Sequence, residues 1–104
     1  MLLQAKVKTD VITVTTATTR VALGSGVKAH KLRVKALPGN AGVVYFGDVT
    51  VAAANGYVLA AGAELVLDSS DHWDQSNMPE FDLSQLYVDA ATNGDKVSIL
   101  YVRF

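Results

Sequence analysis

The chain has 104 residues, half of them hydrophobic and 18% charged, with no cysteine, two histidines and a formal net charge of −1. This size and hydrophobicity exclude a disordered chain and fit one folded domain over 1–104. The lack of cysteine excludes a disulfide framework and a thiolate metal centre, and points to folding in a reducing cytoplasm.

Short β-type runs broken by Gly, Pro and Asn-Gly turns follow one another, with no amphipathic helix between them. The opening MLLQAKVKTD turns charged too early for the apolar core of a signal peptide, so no export signal is expected. No run approaches the roughly 20 apolar residues of a membrane span, so no membrane partner is expected. Leu3–Thr9 and Val11–Thr15 read as strands, the second within the β-branched segment DVITVTTATT. That segment either begins the domain's own sandwich or belongs to an extended arm over residues 1–19 that joins a neighbouring sheet edge.

Arg20–Leu23 is a short strand closed by Gly24-Ser25-Gly26. In the next run Lys31, Arg33 and Lys35 alternate with Leu32, Val34 and Ala36, which predicts one wet face and one buried face. Pro38-Gly39-Asn40 stops it. Val43–Phe46 predicts a buried strand, and Val49–Ala53 with Tyr57–Ala60 a hairpin across Asn55-Gly56. Glu64–Asp68 is another strand, residues 69–84 form the one long irregular segment, and Gln85–Asp89 with Lys96–Val102 predict a final hairpin across Asn93-Gly94-Asp95. The expected fold is all-β: a single-domain, jelly-roll-like β-sandwich of about eight short antiparallel strands.

Charge is unevenly spread. Residues 1–35 carry seven bases against Asp10 alone, whereas residues 36–104 carry nine acids against Lys96 and Arg103. Such segregation either steers partners or disappears when strands from the two halves pair.

Little in the chain is equipped for catalysis. Asp68-Ser69-Ser70-Asp71-His72-Trp73-Asp74 has carboxylates that could hold calcium and a histidine suited to a transition metal. A solvated acidic loop explains the same residues, so no metal or other cofactor is expected. A metal-dependent cupin-like enzyme using His72 and Asp74 stands as the enzymatic alternative. No nucleophile turn accompanies the scattered Ser, His and Asp residues, so no enzyme is expected. A basic stripe of Lys31, Arg33 and Lys35 beside Lys28 could meet an acidic surface, but the near-neutral charge argues against nucleic acid. Trp73, with Met78 and Phe81 in the same loop, anchors either that loop or a partner. The candidate interface is therefore Trp73, Phe81, Met78, Lys31, Arg33 and Lys35.

Arg20-Val21-Ala22-Leu23, the run from Leu32 through Pro38-Gly39-Asn40-Ala41-Gly42-Val43-Val44-Tyr45-Phe46-Gly47, Asn55-Gly56-Tyr57-Val58-Leu59 and Gly62-Ala63-Glu64-Leu65 form one pattern with Leu83–Asp89 and Gly94–Val102. Over residues 20–104 this order of turns and strands resembles a group of small tailed-phage virion structural proteins. The chain departs from that group at Leu59-Ala60-Ala61-Gly62, where the group has a Pro-Gly turn, and in its 69–84 loop. The resemblance implies a capsid decoration (cement) protein, made in the host cytoplasm and carried on the capsid surface of the virion. It further implies a homotrimer that docks on the major capsid protein and braces the shell. The alternative is a phage tail, fibre or receptor/carbohydrate-binding module, with Trp73 and Tyr57 as stacking rings.

Overall fold

The computed structural model describes residues 6–68 and 80–103. Ten strands are present among them: β1 (Lys6–Thr13), β2 (Val21–Ala22), β3 (Lys28–Ala29), β4 (Lys31–Ala36), β5 (Val44–Gly47), β6 (Tyr57–Leu59), β7 (Glu64–Asp68), β8 (Phe81–Asp82), β9 (Tyr87–Ala90) and β10 (Lys96–Arg103). A 3-10 turn, Leu83–Gln85, precedes β9. The strands form a first sheet ordered β1-β10-β4-β7, a second ordered β2-β9-β5-β6, and a small ribbon of β3 with β8. Every pairing is antiparallel. The chain is thus an all-β, sandwich-like domain.

Alternation in β4 sets the inside and outside of the first sheet. Leu32, Val34 and Ala36 are fully buried, while Lys31, Arg33 and Lys35 face out. The inward rows of β4 and of β10 (Val97, Ile99) share one core with Val44 and Phe46 of β5, Leu59 of β6 and Val88 and Ala90 of β9. Val14, Leu23 and Leu83 belong to the same core. Each buried Val, Leu or Ile contributes roughly 1.5–3 kcal/mol of transfer free energy, so this shared inward row is what holds the sheets face to face.

Side-chain hydrogen bonds secure the turns around that core. The Asp95 carboxylate, almost fully buried, accepts the N–H of Ala41 at 3.0 Å and of Gly42 at 2.9 Å. The Asn40 side chain accepts the Lys96 N–H at 2.9 Å and donates to the Lys96 carbonyl at 2.8 Å. Asn40 therefore imitates one more residue of β4 on the β10 ladder. A side chain on Gly42 would place its Cβ 2.7 Å from the Thr92 hydroxyl oxygen, so the tight wrap requires glycine there. At the far end, Asp82 caps the 3-10 turn by accepting the Ser84 N–H and hydroxyl.

Four sequence expectations are corrected, the first being the irregular 69–84 segment, whose residues 81–85 form β8 and the 3-10 turn. Residues 87–90 and 96–103 do not form a hairpin: β9 pairs with β2 and β5, whereas β10 pairs with β1 and β4 in the other sheet. Asn93-Gly94, with Gly94 at φ +84°, turns the chain between sheets. Residues 49–53 are not a strand, and β6 pairs with β5 instead. Asp48 accepts the Thr50 N–H and hydroxyl, and Asn55 accepts the Ala52 N–H; these local bonds compete with a ladder. Finally, the segment around Val11–Thr15 does not make a separate second strand. Residues 6–13 form one strand of the domain's own first sheet, and residues 14–20 are a loop.

Candidate interaction surface

The outer face of the first sheet is built from the outward residues of four strands in fixed register. One row runs Val7, Val102, Lys31, Asp68; the next Thr9, Leu100, Arg33, Val66; the third Val11, Ser98, Lys35, Glu64. Val7 (61%), Val11 (51%), Val66 (49%) and Leu100 (36%) are among the most exposed large apolar side chains of the described residues. A shallow depression of about 550 Å³ runs across this face between β1 and β7, lined by Val11, Arg33, Lys35, Glu64 and Leu100.

The electrostatics are mixed. Lys31 Nζ lies 3.7 Å from Asp68 Oδ2, and Arg33 reaches Glu64 Oε1 at 3.5 Å. Lys28 pairs in register with Asp82. Among the described residues, Lys28, Lys31 and Arg33 of the basic first third are thus set against acids of the later strands. Exposed pairs of this kind contribute at most about 1 kcal/mol each, so they shape the surface more than they stabilise it. Elsewhere, the Thr50 hydroxyl and then its N–H hold the Asp48 carboxyl below the usual range. The Ser84 hydroxyl and then its N–H do the same for Asp82.

The candidate residues fall into three groups. Lys31, Arg33 and Lys35 lie together on the outer face as the alternation predicts. Phe81 is half-buried in β8, opposite Ala29 of β3, and away from that row. Trp73 and Met78, with His72 and Asp74, lie outside the described residues. Tyr57 stands 59% exposed on β6, an edge of the second sheet. Among the described residues no group of three or more His, Cys, Asp or Glu is placed to hold a metal ion, and no helix is long and apolar enough to cross a membrane.

Sequence reasoning missed Val7, Val11, Val66 and Leu100 as members of this surface. Their signal was present in the alternation of β1, β7 and β10, but it becomes visible only when the register sets these residues in the rows of Lys31, Arg33 and Lys35. No protein-family model, curated protein or solved structure matches the chain.

Proposed function

We infer that this chain is a virion structural protein of a tailed phage, a decoration protein that binds the outside of the head. There it stabilises the shell through contacts with the major capsid protein and with copies of itself, in the trimeric arrangement that the sequence resemblance implies. The observation that carries this reading is the outer face of the first sheet, where exposed valines and a leucine alternate with ion-paired charges. Such a face has enough apolar area to reward burial and enough polarity to keep the free protein dissolved.

The strand order supports the finer fold reading. With β3 and β8 set aside, the remaining strands renumber as 1-8-3-6 and 2-7-4-5, the interleaved order of a jelly roll. That architecture recurs in capsid and lectin domains. The motifs behind the resemblance also have physical roles: Asn40 and Gly42 lock the β4–β5 connection against Asp95 and Lys96, which favours a rigid, disulfide-free module.

The test is to add the purified chain to heads that lack it and follow head disruption on heating. Saturable binding that raises the disruption temperature is expected, and Arg33→Glu weakens it. Heads that neither bind the chain nor gain stability would overturn the reading. A second reading, a carbohydrate-binding tail module, is supported by the exposed ring of Tyr57. It requires sugar binding that Tyr57→Ala abolishes.

A further inference from the structure

β1 is eight residues long, exposed at every position except half-buried Ile12, and stands at the end of the first sheet. Among the described residues nothing pairs with its outer edge. The direction of its backbone groups follows from the hydrogen bonds around it. Val14 N–H donates to the Asp95 carbonyl, so the even-numbered residues of β1 face β10. Val102 O and Lys96 O accept from the β4 side, which fixes the same phase on β10. Val7, Thr9, Val11 and Thr13 therefore aim their N–H and C=O groups out of the sheet. The Val11 N–H agrees: it is met by the carboxylate of its own neighbour, Asp10, at 2.8 Å.

We propose that this edge pairs with the β1 edge of a second copy of the chain, antiparallel about a two-fold axis at Thr9, making one continuous sheet across two subunits. The register is chosen by charge. With Thr9 opposite Thr9, Lys8 stands opposite Asp10 of the second copy, twice, and Val7 opposite Val11, twice. Moving the axis to residue 10 sets Asp10 against itself, and moving it to residue 8 sets Lys8 against itself. The backbone phase agrees with the favoured register, because Val7, Thr9 and Val11 are the residues whose N–H and C=O groups point outward and would exchange both bonds with their opposites. Lys8 and Asp10 then occupy the closer, non-hydrogen-bonded pairs, where side chains approach best.

Lone lysines on an edge strand ordinarily deter pairing. Here the lysine stands two residues from a carboxylate, and the two-fold rotation makes the strand its own complement. Pairing also covers the flanks of Val7 and Val11. Asp10 gives up its bond to Val11 N–H, which the second copy's Val7 carbonyl replaces. The contact is two-fold and uses only β1, so it can coexist with a threefold assembly, and it does not depend on the virion reading.

The experiment is sedimentation of the full chain over a concentration series. The wild-type chain is expected to form an assembly of an even number of subunits. Lys8→Asp and Asp10→Lys each halve its mass, and mixing the two variants restores it, because every pair in the mixed contact is again of opposite charge. Thr9→Pro also halves the mass while circular dichroism stays unchanged, since the N–H it removes bonds to nothing among the described residues of the subunit. A monomeric or odd-numbered wild-type assembly would overturn the proposal. So would single charge variants that assemble like the wild type, or variants that fail to recover on mixing.

Discussion

Asp95→Ala removes both acceptors that tie the turn after β4 to the connection between β9 and β10. Ala41 and Gly42 lose bonds of 3.0 and 2.9 Å to a carboxylate that is only 5% exposed. A hydrogen bond to such a group contributes about 1.5–3 kcal/mol. Ala41 is exposed and Gly42 half-buried, so water recovers part of the loss, leaving a net cost of about 2–4 kcal/mol. For a domain of this length, about 4–8 °C of Tm accompanies each kcal/mol, so melting should fall by roughly 8–30 °C. Asp95→Asn keeps one acceptor and turns an amide donor towards the other N–H, so at least half of the loss persists. Thermal unfolding followed by far-ultraviolet circular dichroism reads both variants. A fall of less than about 3 °C for Asp95→Ala would refute the reasoning, since the turn would then be held by something other than this carboxylate.

Other outcomes follow from named contacts. Leu32→Ala opens a cavity in the fully buried β4 row and costs about 2–5 kcal/mol in urea unfolding; a loss under about 1 kcal/mol would mean that the two sheets do not share this core. Gly56→Ala places a Cβ 2.5 Å from Tyr45 Cβ and 3.0 Å from the Ala52 carbonyl oxygen, and overpacking of this kind costs about 1–3 kcal/mol, so an unchanged Tm would contradict the loop geometry. Thr18 has a φ of 69°, unusual for a β-branched residue, and Thr18→Gly should raise Tm by a few degrees. The Asp48 and Asp82 carboxyls have folded pKa values below their ordinary 3.8, so the unfolded chain takes up their protons first as pH falls. Their stabilisation is complete above the ordinary carboxyl range and disappears as pH drops through the depressed values. The Tm difference between wild type and Asp82→Asn should therefore be positive at neutral pH and close in strong acid; a difference independent of pH would dismiss the Ser84 cap as its cause.

How much of this was legible in the sequence depended on the range of the interaction. The Lys31–Ala36 alternation declared both faces of β4 because a half-buried strand repeats every two residues, and the structure has that pattern residue for residue. Turn chemistry was legible only as a change of direction. Asn93-Gly94 reverses the chain, but nothing local distinguishes a hairpin within one sheet from a passage between two. Asn55-Gly56 likewise marked a turn, while the partner of β6 proved to be β5. Val49–Ala53 read as a strand because β-propensity ignores the Asp48 and Asn55 side chains that claim its backbone. The short ribbon of Lys28–Ala29 with Phe81–Asp82 carries too few residues to declare a period. For the surface, charges at Lys31, Arg33 and Lys35 were visible along the chain, whereas the apolar partners come from three other strands and needed the register.

The virion reading is tested most directly by the copy number of this chain in purified phage particles from its source, measured by quantitative mass spectrometry against the major capsid protein. A decoration protein should appear at parity with the capsid protein or at a simple fraction of it. A handful of copies per particle would contradict a role on the head and move the chain to the tail or a vertex, and complete absence would contradict the virion role altogether.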